Sequence, residues 1–207
     1  MKLYYAETLM PRKPCAVARH LKSPVDFAYV DLGKGEHREA AYQAVNPNRK
    51  VPTLVDGELT LWESNAIMCH LAVKAGSDLW PSDPARQVEV IRWLSWDAAQ
   101  FTRYLGVPYV QYVIKPHYGL GEPDLKAVED ALGPWRKSAA ILDEHLALRP
   151  WLTGDDLSVA DFALAVTLPW AQQAHIPLDD FPNLRRWHDG LNVLEAWREP
   201  FPARTHG

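Results

Sequence analysis

A small α/β domain followed by an all-α domain is the architecture that this 207-residue sequence predicts, and three observations carry it. Residues 1–77 alternate short β-rich runs with helix-period runs and include a turn-linked pair of strands. A proline-rich stretch, Trp80-Pro81-Ser82-Asp83-Pro84, then interrupts the pattern. Beyond Ala85 nearly everything reads as helix, and eight of the nine tryptophans lie past residue 77, as large anchors for a helical core. The expected bounds are 1–77 for the first domain, 78–84 for the linker and 85–207 for the helical domain.

Lys2-Leu3-Tyr4-Tyr5 opens the chain as a short strand, and a polar loop carrying prolines runs from Glu7 to Pro14. Cys15 to Leu21 has the small and apolar spacing of a helix, with Pro14 suited to its start. Val25 to Leu32 alternates as a strand and ends at Gly33-Lys34-Gly35. Arg38 to Val45 predicts a short helix that must stop before Pro47. Thr53-Leu54-Val55 and Leu59-Thr60-Leu61 flank Asp56-Gly57, a pair that favours the primed turns of β-hairpins. Glu63 to Lys74 is an apolar-striped helix closing near Gly76. In the second part the spacing predicts a long helix from about Arg86 to Tyr112, bent near Pro108. Another spans Asp124 to Leu148 with a break at Gly133-Pro134, a third starts at Ser158, and a final pair covers residues 182–198.

Composition narrows the function. Hydrophobic residues make up 47% and charged ones 23%, an ordinary globular balance. No uninterrupted apolar run approaches the roughly 20 residues of a membrane span, and the opening MKLYYAET lacks the apolar core of a secretory signal. The net charge is −4. Residues 1–77 hold ten Lys+Arg against eight Asp+Glu, and residues 78–207 twelve against eighteen. A nucleic-acid binder needs a clustered basic surface, which this distribution does not supply. Two cysteines, Cys15 and Cys69, suit a reducing compartment, and the expected location is cytoplasmic.

Two stretches point to chemistry. In Lys50-Val51-Pro52-Thr53-Leu54 the X-Pro bond can be cis at small cost. Val51 would then offer its backbone groups to an extended peptide instead of to its own sheet. The plainer reading is a proline that merely opens a strand. In Trp62-Glu63-Ser64-Asn65-Ala66-Ile67 an acid and a hydroxyl open a helix. Such a pair can be a simple cap, worth about 1 kcal/mol. The free amides of a helix N-terminus with a serine hydroxyl also make a carboxylate site. Glu63 beside them can pair with an ammonium, so the pair can read a zwitterionic amino acid. Ser158-Val159-Ala160-Asp161 matches a capping box, a structural device for starting a buried helix.

In this order and spacing these residues resemble the glutathione S-transferase family. The resemblance covers nearly the whole chain: the opening strand, Lys34-Gly-Glu-His37, Asn46-Pro47, Lys50-Val-Pro-Thr-Leu54, Trp62-Glu-Ser-Asn-Ala-Ile67, the proline linker and Ser158-Val-Ala-Asp161. It implies a thioredoxin-like first domain (βαβ-α-ββα) ahead of the helical bundle, and a homodimer. It implies glutathione as a co-substrate, with no cofactor or metal, and a small hydrophobic electrophile as the second partner. By the same resemblance Val51, after which Pro52 turns the chain, pairs with the cysteinyl backbone. Glu63 and Ser64 hold the γ-glutamyl end, and Lys50 and His37 approach the glycyl carboxylate, although His37 also reads as an ordinary surface histidine. The implied role is detoxification.

Thiol activation is where this chain departs from the family pattern. Model cysteine has a pKa of about 8.5, and each unit of depression needs about 1.4 kcal/mol. One hydrogen bond to a charged acceptor supplies about 1.5–3 kcal/mol, so a single hydroxyl after the first strand suffices. Thr8 is the residue in that place, and Arg12, always charged and rich in donors, comes next. Cys15 opens the alternative of glutathione-dependent disulfide or peroxide reduction, although Arg12-Lys13-Pro14-Cys15 is a C-x-x-C pattern without its first cysteine. A further alternative is a non-catalytic module that keeps only the fold.

Overall fold

A computed structural model describes residues 1–203. The chain forms two compact units, Met1–Trp80 together with the segment from Val193 onward, and Pro81–Asn192.

The first unit is built on a four-stranded sheet of order β2-β1-β3-β4. Strand β1 (Lys2–Tyr5) buries Leu3 and Tyr5 and turns Lys2 to solvent, the period-2 pattern that fixes its register. It pairs parallel with β2 (Asp26–Tyr29), Leu3 opposite Phe27, and antiparallel with β3 (Thr53–Asp56), Leu3 opposite Leu54. Strand β4 (Leu59–Trp62) returns antiparallel to β3, with Gly57 at a φ of 62° in the connecting turn. Helix α1 (Leu9–His20) makes the β1-to-β2 crossover and packs on α3 (Ser64–Ala75), while α2 (Ala40–Val45) precedes the hairpin. This is the thioredoxin-like order read from the sequence.

The start of α1 corrects the expected loop. It begins at Leu9, six residues before Cys15, so Pro11 and Pro14 both lie within it. Pro11 falls in the first turn, whose amides have no helical partner anyway. Pro14 removes only the bond to the Met10 carbonyl, so the helix tolerates it where its first turn is held from outside.

The second unit is helical. Pro84 opens α4 (Pro84–Trp96) and Asp83 Oδ1 caps it by accepting from the Ala85 amide at 3.2 Å. The expected bend near Pro108 takes another form. Pro108 sits inside α5 (Thr102–Tyr109), and the irregularities are π-helical turns on either side, Asp97–Phe101 and Val110–Ile114, before α6 (Lys115–Tyr118). Helix α7 (Leu125–Leu146) runs unbroken through Pro134. Gly133 before it has no Cβ to clash with the proline ring, and the Asp130 residue whose carbonyl loses its donor is exposed to water. The core holds Trp135, Phe101, Phe162, Trp187, Leu105 and Leu142, all fully buried.

Helix α8 (Val159–Leu164) starts on the capping box read from the sequence. Asp161 is fully buried and accepts from the Ser158 amide at 2.8 Å and its hydroxyl at 2.9 Å, from the Leu152 amide at 3.0 Å and from Trp187 Nε1 at 2.8 Å. Helix α9 (Pro182–Asn192) closes the unit. The helical domain expected over 85–207 is therefore shorter in its packing. The last helix, α10 (Glu195–Arg198), belongs with the first unit and packs on α1. Among the described residues no helix is long and apolar enough to cross a membrane.

Candidate functional site

The segment after α2 is held by a buried polar cluster. Pro47 biases Asn46 out of the helical region, and Asn46 takes an extended φ of −136° as the cap of α2. Its side chain, 1% exposed, turns inward. Asn46 Nδ2 donates to the Lys50 carbonyl at 2.8 Å and to Thr53 Oγ1 at 2.9 Å, while its Oδ1 accepts from the Asn48 amide at 2.9 Å. The buried Tyr42 hydroxyl donates to the same Lys50 carbonyl at 2.8 Å and lies 3.0 Å from Thr53 Oγ1. These bonds fix the chain on both sides of Val51. The Val51–Pro52 peptide is cis, and β3 begins only at Thr53, which leaves Val51 outside the ladder.

The second half comes from the start of α3. Glu63 adopts φ 72° and ψ 114°, a conformation that costs a residue bearing a Cβ about 1–3 kcal/mol. Strain of this kind persists only where neighbours enforce it. Glu63 is exposed and its side chain makes no capping bond to the first amides of α3. Ser64 is buried, its hydroxyl 4.0 Å from the Met10 sulfur on α1. One turn further along α1, the buried Lys13 donates from Nζ to Asn65 Oδ1 at 3.3 Å. The α1 and α3 N-termini are thereby tied together.

These pieces enclose a cleft of about 210 Å³ lined by Met10, Asn46, Asn48, Lys50, Val51, Pro52, Trp62, Glu63 and Ser64. Lys50, Val51, Pro52, Glu63 and Ser64 thus share one cleft, although up to 14 positions separate them in sequence. The walls can offer a backbone edge at Val51, helix N-terminal amides and a hydroxyl at Ser64, a carboxylate at Glu63 and an ammonium at Lys50, which together complement an extended zwitterionic peptide. His37 is not among the lining residues. It lies on the 3₁₀ turn Glu36–Arg38, where its Nε2 accepts from Arg38 Nε at 3.2 Å. Met10, Asn46, Asn48 and Trp62 were not singled out as site residues in the sequence. The only signal for Asn46 was its place before Pro47.

Thr8 is the N-cap of α1, two residues before Met10, in extended conformation and half-exposed. Its hydroxyl makes no capping bond to the helix, and its amide donates to the Ala6 carbonyl at 2.8 Å. Arg12 is placed differently from the sequence expectation. It is 5% exposed, Nη2 donates to the Trp197 carbonyl, and the guanidinium lies 4.7 Å from the Trp197 ring centroid. Cys15 is fully buried, and burial pushes its thiol far above the usual range, with the Arg19 charge offsetting only part. That placement gives a packing residue rather than an exposed thiolate nucleophile. Cys69 is half-buried, its thiol pushed up to about 12 by burial.

Known proteins match this chain along nearly its whole length. The model of the glutathione S-transferase N-terminal domain matches residues 1–73, and that of the glutathione S-transferase C-terminal domain matches residues 125–190. The probable glutathione S-transferase GSTF2 of Oryza sativa subsp. japonica is 31% identical over 195 residues, covering 92% of this chain and 91% of that protein. Glutathione S-transferase GstB of Escherichia coli K12 is 32% identical over 192 residues, covering 91% and 90%. Among solved structures, glutathione S-transferase I bound with lactoylglutathione superposes with a TM-score of 0.88 at 28% identity, over 96% of this chain and 97% of that one. Glutathione S-transferase I from maize, in complex with an atrazine glutathione conjugate, gives 0.87 at 27% identity over 96% and 95%. With a fold, a cleft and two domain matches in agreement, the chain belongs to the glutathione S-transferase family.

Proposed function

We propose that the protein is a glutathione transferase that joins the glutathione thiolate to a small hydrophobic electrophile. The observation that carries this reading is the convergence of Lys50, Val51, Pro52, Glu63 and Ser64 on one cleft. Glutathione lies there with its cysteinyl backbone along Val51 and its γ-glutamyl carboxylate on Ser64 and the α3 amides. Its ammonium faces Glu63 and its glycyl carboxylate faces Lys50. The electrophile loses its leaving group, or accepts the thiolate by addition, and no redox partner is required.

Thr8 is the proposed activator. Its hydroxyl is unused by the helix it caps, and one hydrogen bond to a thiolate lowers the thiol pKa by about one to two units. Arg12 supports the site at a distance and does not touch the sulfur. A role in detoxification fits the atrazine conjugate held by the maize relative. A cytoplasmic location fits the two free cysteines. A homodimer is also proposed: Leu59, Trp62 and Val73 are exposed on the first unit, and Val88 and Ile91, one helical turn apart on α4, are exposed on the second.

The reading is tested by glutathione titration combined with turnover of an activated aryl halide. Saturable conjugation is expected, with Lys50→Ala and Ser64→Ala raising the KM for glutathione about tenfold, the scale of one lost charge-assisted hydrogen bond. Absence of glutathione binding by the wild-type protein contradicts the proposal.

A further inference from the structure

The first turn of α1 keeps the bond from the Arg12 amide to the Thr8 carbonyl at 3.2 Å but lacks the one that would follow at Met10. Pro14 cannot donate to the Met10 carbonyl. Further anchors come from residues 195–201. Arg12, four residues after Thr8, donates to the Trp197 carbonyl and lies over the fully buried Trp197 ring. Tyr5, three residues before Thr8, stacks on Phe201 with ring centroids 5.9 Å apart and planes 15° apart. Further along α1, Arg19 Nη1 donates to the Phe201 carbonyl at 3.0 Å and Nη2 lies 3.9 Å from Glu195. The segment from Glu195 to Phe201 therefore holds side chains on both sides of Thr8, those of Tyr5 before it and of Arg12 and Arg19 after it.

We propose that this C-terminal segment is a clasp that sets the position of Thr8 for thiol activation, with Arg12 as its positioning residue. The inference rests on the conjugation reading above. Arg12 is suited to the task because its planar fork can donate to a carbonyl while its face stacks on the indole, so two contacts fix one orientation. Hydrogen-bond strength falls steeply with misalignment, and a displacement of about 1 Å can cost about 100-fold in rate. Loosening the clasp should therefore reach the sulfur without changing any group that holds the γ-glutamyl end.

The test is the pKa of the bound glutathione thiol, followed by thiolate absorbance against pH, in wild type, Arg12→Met, Arg12→Lys and Phe201→Ala. Arg12→Met is expected to raise that pKa by about one unit, a loss of about tenfold in thiolate below it, with the dissociation constant for glutathione changed less than twofold. Arg12→Lys, which keeps one donor and the charge over Trp197, is expected to recover part of the shift, and Phe201→Ala to give a smaller rise. A merely structural Arg12 would lower the melting temperature and leave the thiol pKa of the folded variant untouched. That result in Arg12→Met overturns the proposal, as does the same result in Phe201→Ala if Arg12→Met does not fold. A wild-type protein that binds glutathione without lowering its thiol pKa overturns the activation reading itself, and the clasp with it.

Discussion

Asn46 Nδ2 donates to the carbonyl oxygen of Lys50 at 2.8 Å from a side chain that is 1% exposed. That bond, doubled by Thr53 Oγ1 at 2.9 Å, makes Asn46 the strut behind the backbone edge at Val51. Replacing it by alanine leaves buried partners short of a donor, which costs about 1–3 kcal/mol each. Asn46→Ala is expected to lower stability by about 2–3 kcal/mol and to raise the KM for glutathione, with kcat much less affected. Tyr42→Phe removes one bond to the same carbonyl and should cost about 1 kcal/mol. Denaturant unfolding and steady-state kinetics check both.

Glu63 separates stability from binding. Its φ of 72° strains any residue with a Cβ, whereas glycine adopts positive φ freely. Glu63→Gly is expected to be about 1 kcal/mol more stable than Glu63→Ala, while both variants bind glutathione about tenfold more weakly for want of the carboxylate. Equal stability of the two variants would contradict the strain; unchanged affinity would remove Glu63 from the ligand's ammonium.

The last residue of β3 carries a carboxylate whose charge matters to folding. Asp56 Oδ2 accepts from His70 Nε2 at 2.9 Å and from Lys74 Nζ at 3.0 Å, and these bonds, that of His70 first, hold its pKa below the usual carboxylate value. A depressed folded-state pKa gives stability that is fully present above the unfolded value, about 3.9, and lost as pH falls through the folded one. Asp56→Asn should flatten the pH dependence of stability below about pH 4. Chemical unfolding at a series of acid pH values measures it.

Cys15 separates conjugation from thiol redox chemistry. It is fully buried and its thiol is pushed far upward by that burial. Alkylating reagents should therefore leave Cys15 untouched in the folded protein at neutral pH and react fully after denaturation. Cys15→Ser should keep conjugation within about twofold at temperatures where the variant is folded, since Cys15 contributes packing alone. Rapid alkylation of native Cys15 would reopen the reductase reading.

Local signals carried most of the first unit. The hairpin was legible because a glycine turn signal separates its strands, although the turn residues are Gly57-Glu58 rather than Asp56-Gly57, with Asp56 paired to Leu59 and Gly57 at a φ of 62°. The capping box at Ser158 was legible because both partners lie within one helical turn. The lining of Lys50, Val51, Glu63 and Ser64 followed from motifs at short range. Helix α1 starts earlier than the sequence suggests because Pro14 reads as a helix start and Pro11 as part of a loop, whereas Pro11 lies in a first turn that needs no amide there and Arg12 and Lys13 anchor the turn after it. Arg12 was read as a free cation because its partner, Trp197, is 185 residues away. Asn46 was missed for a related reason. Its value lies in a buried network assembled only when the end of α2 meets the start of β3, and no periodicity records that.

Thr8, the α1 N-cap two residues before the cleft-lining Met10, is the proposed activator of the glutathione thiol. The most direct measurement is thiolate absorbance of bound glutathione against pH in wild type and Thr8→Ala. The account predicts a bound-thiol pKa about one to two units below the free value in wild type, returning most of the way in Thr8→Ala while glutathione affinity is kept. A Thr8→Ala protein that still lowers the thiol pKa as far as wild type would contradict it.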